Sequence, residues 1–190
     1  MKRVIFVEPQ IENPETIVDI FKKCNPDNRF VNPHICLVFP FESDLETRIL
    51  ESIINDVFIK YSCFDIQLSG LTVSYEKRNN FLFLNVIDER NILKQMSSEL
   101  YNSLGDNVKL RGQYTPHITL AKSKSVEEIN RINSDAQTLL QSEYTATIST
   151  IYCKKLIQDS NGNLKLEHEI EFELPQRTSR NYENNSRNNR

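Results

Sequence analysis

One short pattern occurs twice in this chain, and it limits the fold more than any other feature. Pro33-His34-Ile35-Cys36-Leu37 and Pro116-His117-Ile118-Thr119-Leu120 share Pro-His-Ile-x-Leu nearly half a chain apart, and they hold two of the three histidines. Each copy has strand character and runs into a stretch of helical periodicity opened by Asp44 or Ser125. A duplicated strand–helix unit explains the spacing, so two related halves are expected. Side chains alternate faces along a strand. His34 and Cys36 therefore share one face, with Ile35, Leu37 and Phe39 on the other. In the second copy His117 and Thr119 face one way, and Ile118 and Leu120 the other. A pseudo-twofold axis between the halves would bring the two histidine faces together across a cleft.

The remaining sequence reads as alternating strands and helices. Val4 to Val7 is a short apolar run. Asn13 is a candidate cap for a helical stripe of Ile17, Ile20 and Phe21. Leu45, Ile49, Ile53 and Val57 are spaced for a second helix capped by Asp44. Phe64 to Ser74 and Phe81 to Ile87 read as a hairpin around EKRNN. Ile92, Met96 and Leu100 mark a third helix ending near Gly105. The Ser125–Glu128 capping box opens a fourth through Ile129, Ile132 and Leu139. Thr145 to Leu156 and Leu164 to Leu174 complete the set as strands joined by the turn Asp159–Asn163. Strands with hairpins among them argue for an α+β fold with antiparallel sheet. The expectation is one bilobal domain over 1–175, with outer helices around a central cleft.

Charge and composition exclude several functions. The chain has 23 Lys+Arg against 26 Asp+Glu, a net of -3, so it is no polycation built to coat nucleic acid. The tail from Gln176 carries Arg177, Arg180, Arg187 and Arg190 against Glu183 alone, with Tyr182 its one large apolar residue. Such a segment, 176–190, buries too little to offset its ordering entropy and is expected to be disordered. Cys24, Cys36, Cys63 and Cys153 form no CxxC pair, which suits free thiols in a reducing cytoplasm. No apolar run approaches a membrane span or a signal-peptide core. A cytoplasmic monomer without membrane contact is expected. The four glycines are scattered, which excludes a P-loop.

Two facing imidazoles have a chemical use. Histidine titrates near neutrality, so one ring can act as base while the other, protonated, acts as acid. Small hydroxyl groups beside them can donate to phosphoryl oxygens. PHICL and PHITL resemble the paired His-x-Thr/Ser motifs of the 2H phosphoesterase superfamily, which includes the 2'-5' RNA ligases and RNA 2',3'-cyclic phosphodiesterases. The resemblance covers about residues 1–175. It implies a phosphodiesterase without metal or other cofactor, acting on a cyclic 2',3'-type or 2'-5' phosphodiester in an RNA end or small nucleotide. It also implies acid–base roles for His34 and His117, and phosphate contacts from Thr119 and Cys36. Cys36 departs from the pattern, since a thiol is a weaker donor than a hydroxyl. Lys122 stands where relatives place a basic residue, although strict alternation turns it off the cleft face. Tyr114 is a further candidate for substrate contact, by stacking on a base.

Two other readings compete. A catalytically weakened 2H-type protein would bind an RNA end or nucleotide without turnover, and Cys36 favours it. A zinc site at His34, Cys36 and His117 would need Cys63 or Cys153 as further ligand. His168 alternates with Glu167, Glu169 and Glu171, and is expected on a solvated strand face.

Overall fold

The computed structural model describes residues 1–26, 31–105, 108, 113–158 and 164–176. Nine strands and four helices lie among them: β1 (Lys2–Val7), β2 (Gln10–Ile11), α1 (Glu15–Cys24), β3 (Ile35–Glu42), α2 (Thr47–Phe58), β4 (Phe64–Tyr75), β5 (Asn80–Ile87), α3 (Ile92–Leu104), β6 (His117–Ser123), α4 (Val126–Leu139), β7 (Tyr144–Ile148), β8 (Thr150–Gln158) and β9 (Leu164–Glu173). All strands join one sheet in the order β2-β7-β4-β5-β6-β3-β1-β8-β9. Each pairing is antiparallel. This is the α+β fold expected.

The two motif strands, β3 and β6, lie at the middle of the sheet. They are neighbours there and meet at one residue pair, Ile35 with Ile118. On one side lie β1, β8 and β9; on the other lie β5, β4, β7 and β2. The helices cross this line: α1, which precedes β3, packs on β6, and α3, which precedes β6, packs on β3. Each half thus lends a helix to the other, and the buried faces form one continuous core.

Past the Ile35–Ile118 pair the two motif strands splay apart, which exposes backbone carbonyls that a sheet neighbour would otherwise bind. Side chains replace that neighbour. Asn25, at the end of α1, donates Nδ2 to the Thr119 carbonyl at 2.9 Å. Tyr114 donates its hydroxyl to the Cys36 carbonyl at 2.9 Å, and Ser97 of α3 donates to the Leu37 carbonyl at 2.7 Å.

Several local expectations need correction. The buried stripe of α2 is Leu50, Ile54, Val57 and Phe58, one residue on from the expected set, and Ile49 is 43% exposed. Leu139 is likewise exposed rather than on the buried stripe of α4. Neither Asn13 nor Asp44 caps a helix; Pro14 and Glu46 occupy the cap positions. Ser125 does cap α4, accepting from Glu128 N at 3.0 Å. The expected strand from Thr145 to Leu156 is two strands, because β7 pairs with β4 in one half and β8 with β1 in the other. The chain changes halves at Ser149. The turn Asp159–Asn163 and nearly all of the tail lie outside the described residues.

Glu169 is not on a solvated face. A bulge between the Cys153–Ile170 and Lys154–His168 pairs leaves Glu169 unpaired, and its side chain turns inward. There it meets Arg3 at 2.8 Å, with both side chains only 1% exposed. Arg3 also donates to the Ser43 and Leu45 carbonyls, and Thr47 donates to Glu169 at 2.8 Å. Burial pulls the Glu169 carboxyl up, but the Arg3 and Thr47 hydrogen bonds and the Arg3 and Lys155 charges outweigh it and hold it below its usual range.

Candidate active site

Pairing Ile35 with Ile118 decides where the histidines point. Paired residues share a face, so their neighbours His34 and His117 share the opposite one. The two are diagonal neighbours, which in a regular antiparallel ladder lie about 7–8 Å apart at the backbone and farther where the strands splay. Both line a cleft of about 660 Å³ on the face away from the helices, together with Cys36 and Thr119.

Each imidazole is tied in the same way. His34 Nδ1 lies 2.8 Å from the Asn32 carbonyl and His117 Nδ1 2.9 Å from the Thr115 carbonyl, two residues upstream in both cases. A carbonyl only accepts, so each Nδ1 carries the proton and Nε2 is the ring nitrogen left for chemistry. An aromatic ring supports each histidine. Phe6, paired with Cys36, has its ring centroid 5.0 Å from that of His34, and Phe83, paired with Thr119, lies 4.0 Å from His117. Burial holds His117 below its usual value, partly opposed by the Thr115 carbonyl. Its ring is therefore neutral at pH 7, with a lone pair on Nε2.

Strict alternation misplaces two residues, for one reason. On β6 the partners step from Ala121 to Thr119 while β5 advances one residue, so Leu120 is an extra residue in a bulge. On β3 they step from Val38 to Cys36 against β1, so Leu37 is the extra residue. Both bulges bury two consecutive residues, Leu37 with Val38 and Leu120 with Ala121. The side chain after each pair then returns to the cleft face. Lys122 accordingly lines the cleft rather than facing away, and Phe39, expected in the core, also lines it and is 45% exposed.

The other candidates separate cleanly. Cys36 is on the cleft wall, its Sγ 3.8 Å from the Val38 carbonyl, and burial pushes its thiol up to about 12, which keeps it protonated. Tyr114 does not line this cleft. It is 8% exposed, its hydroxyl donates to the Cys36 carbonyl, and it lines an adjoining cavity of about 390 Å³ that shares Phe39, Phe83 and His117 with the cleft. His168 is exposed on β9, opposite Lys154. No group of three or more His, Cys, Asp or Glu among the described residues could hold a metal ion. Sequence reasoning missed Phe81, Phe83, Leu156, Lys165 and Leu166, which also line the cleft, as do Glu76, Val4, Val31 and Pro40. No signal short of strand register would have shown them. No described helix is long and apolar enough to cross a membrane.

A curled antiparallel sheet with helices behind it and paired histidine motifs at its centre defines the 2H phosphoesterase class. The model of the 2'-5' RNA ligase superfamily matches residues 7–156, and the chain belongs to that family. No curated protein matches it by sequence. Solved structures agree in fold. E. coli LigT complexed with 3'-AMP superposes with a TM-score of 0.60 at 16% identity, over 92% of this chain and 98% of that one. TT0787 of Thermus thermophilus gives 0.59 at 13% identity, over 94% and 100%. Usb1 of Kluyveromyces marxianus gives 0.52 at 11% identity, over 88% and 97%.

Proposed function

We propose that the chain is a metal-independent phosphodiesterase that hydrolyses a cyclic 2',3'-type or 2'-5' phosphodiester in an RNA end or small nucleotide. One observation carries this reading. Two imidazoles, each with Nδ1 tied to a carbonyl, stand as diagonal neighbours on the wall of one cleft. In the proposed reaction one ring takes a proton from water as its oxygen bonds to phosphorus. The other gives a proton to the ribose oxygen as the old P–O bond breaks. Thr119 donates to a phosphoryl oxygen, the Cys36 thiol does so more weakly, and Lys122 balances the phosphate charge. The 3'-AMP in the LigT structure supports a ribose phosphate as ligand. By microscopic reversibility the same groups would catalyse 2'-5' ligation, which water at high concentration disfavours.

The test is turnover of a 2',3'-cyclic nucleotide and of a 2'-5' dinucleoside monophosphate, with EDTA present throughout. Hydrolysis of either supports the reading. The Cys36 thiol favours a second reading, in which the cleft binds nucleotide but has lost turnover. Saturable nucleotide binding without hydrolysis of either substrate would establish that instead.

A further inference from the structure

The two histidines have unlike neighbours at equivalent positions. On β5, Asn85 pairs directly with His117, one residue beyond the Leu84–Ile118 pair. On β1 the Val7–Ile35 pair is followed by Glu8 on one strand and His34 on the other. The two halves thus set a carboxylate against a carboxamide.

Glu8 is fixed in place. Its Oε2 accepts from Asn32 Nδ2 at 2.9 Å, and its Oε1 lies 3.7 Å from Lys154 Nζ; the Lys154 and Glu8 side chains are 20% and 22% exposed. Asn32 is the residue whose carbonyl receives the His34 Nδ1 proton. Lys154 also sits 5.2 Å over the Phe6 ring, the ring that supports His34. His34 is therefore held from two sides by one connected set: Lys154–Glu8–Asn32 through the carbonyl, and Lys154–Phe6 through the ring. Among the described residues no carboxylate is bonded to Thr115, which holds His117.

We propose that Glu8 is a positioning residue that keeps His34 oriented and protonated, so that His34 delivers the proton to the leaving oxygen while His117, beside neutral Asn85, takes one from water. This assignment rests on the phosphodiesterase reading. A fixed carboxylate near an imidazole favours its charged form, and a lysine disfavours it. Glu8 acts through the Asn32 link, with Lys154 beyond it. The other titratable groups around the histidines are Cys36, Lys122, Lys165 and Glu76 on the cleft and Tyr152 on β8. His168 and Glu171 follow on β9, opposite Lys154 and Tyr152.

The experiment is an NMR titration of the three histidine rings in the full chain, assigned with single His→Ala variants and needing no substrate. Glu8→Gln is expected to lower the His34 midpoint by roughly half a unit or more, with His117 and His168 unmoved. Lys154→Met is expected to raise the His34 midpoint, and Asn85→Asp that of His117. On a hydrolysed substrate, Glu8→Gln should lower kcat with KM nearly constant and shift the alkaline limb to lower pH. A His34 midpoint unmoved in both Glu8→Gln and Lys154→Met overturns the assignment. Because the titration reads the free protein, that failure is distinct from absence of turnover.

Discussion

The half built on β3 and the half built on β6 have the same backbone and different side chains. Both place a histidine one residue before the central Ile35–Ile118 pair, and both tie its Nδ1 to the carbonyl two residues upstream. Both then bulge at the same step, at Leu37 and at Leu120. Around this shared frame the residues diverge: Cys36 against Thr119, Phe39 against Lys122, Glu8 against Asn85. The frame fixes where the imidazoles stand, while the side chains around them differ. On the proposed reading the β6 half grips phosphate through Thr119 and Lys122. The β3 half supplies the second histidine and an apolar wall. Its fold is also secured differently, by the buried Arg3–Glu169 pair.

The comparison can be broken most severely at the histidines. His34→Ala and His117→Ala are each expected to lower the hydrolysis rate by roughly 10²–10⁴-fold, the scale of a positioned acid or base. Folding should persist, because both rings face the cleft; circular dichroism and a melting curve check that. Next comes the ion pair confined to the β3 half. Arg3→Met takes its main partner from buried Glu169 and leaves it only the Thr47 hydrogen bond and Lys155 at 3.4 Å. Losing one partner of a buried pair costs up to about 3–5 kcal/mol, read as a lower urea midpoint. In the wild type the Glu169 carboxyl is held below its unfolded value of 4.5. Its contribution to stability is therefore full above that pH and is lost as pH falls through the depressed value. Glu169→Gln should flatten this acid dependence.

Smaller effects separate the two phosphate contacts. Thr119→Ala removes a neutral hydrogen bond, about 0.5–1.5 kcal/mol, and should reduce kcat/KM by roughly two- to tenfold. Cys36→Thr should raise it over the same range if the thiol meets phosphate. If the thiol is only packed, the buried hydroxyl should destabilise the fold by about 1–3 kcal/mol with no kinetic gain. Melting temperature and rate on one variant decide. The finest test is the acid limb of the pH–rate profile. His117 acts as base only when neutral, and burial holds it below its usual 6.5. Activity should therefore persist below pH 6.5 and fall as pH drops through the lowered value.

How much of this was legible in sequence depended on the range of the cause. The duplicated Pro-His-Ile-x-Leu and the strand period of two put His34, His117, Cys36 and Thr119 on one face, because that inference needs two or three consecutive residues. Lys122 and Phe39 were misplaced because a bulge of one residue inverts every later assignment, and a bulge is set by the partner strand. Tyr114 looked available for stacking, but its role follows from a carbonyl that opens only where β3 and β6 part. Nothing in the sequence set Glu169 apart from Glu167 and Glu171, because its partner Arg3 lies at the other end of the chain. The stripe on α2 slipped by one residue because its apolar residues outnumber those one face can bury.

If two equivalent positions in the duplicated halves act as one acid–base pair, the His34→Ala/His117→Ala double variant should show it. The rate to measure is hydrolysis of a 2',3'-cyclic nucleotide in EDTA by wild type, both single variants and the double. Groups that act as a unit are strongly non-additive, so the double variant is expected to be scarcely slower than the slower single. Losses that multiply, or either single variant with wild-type activity, would contradict it.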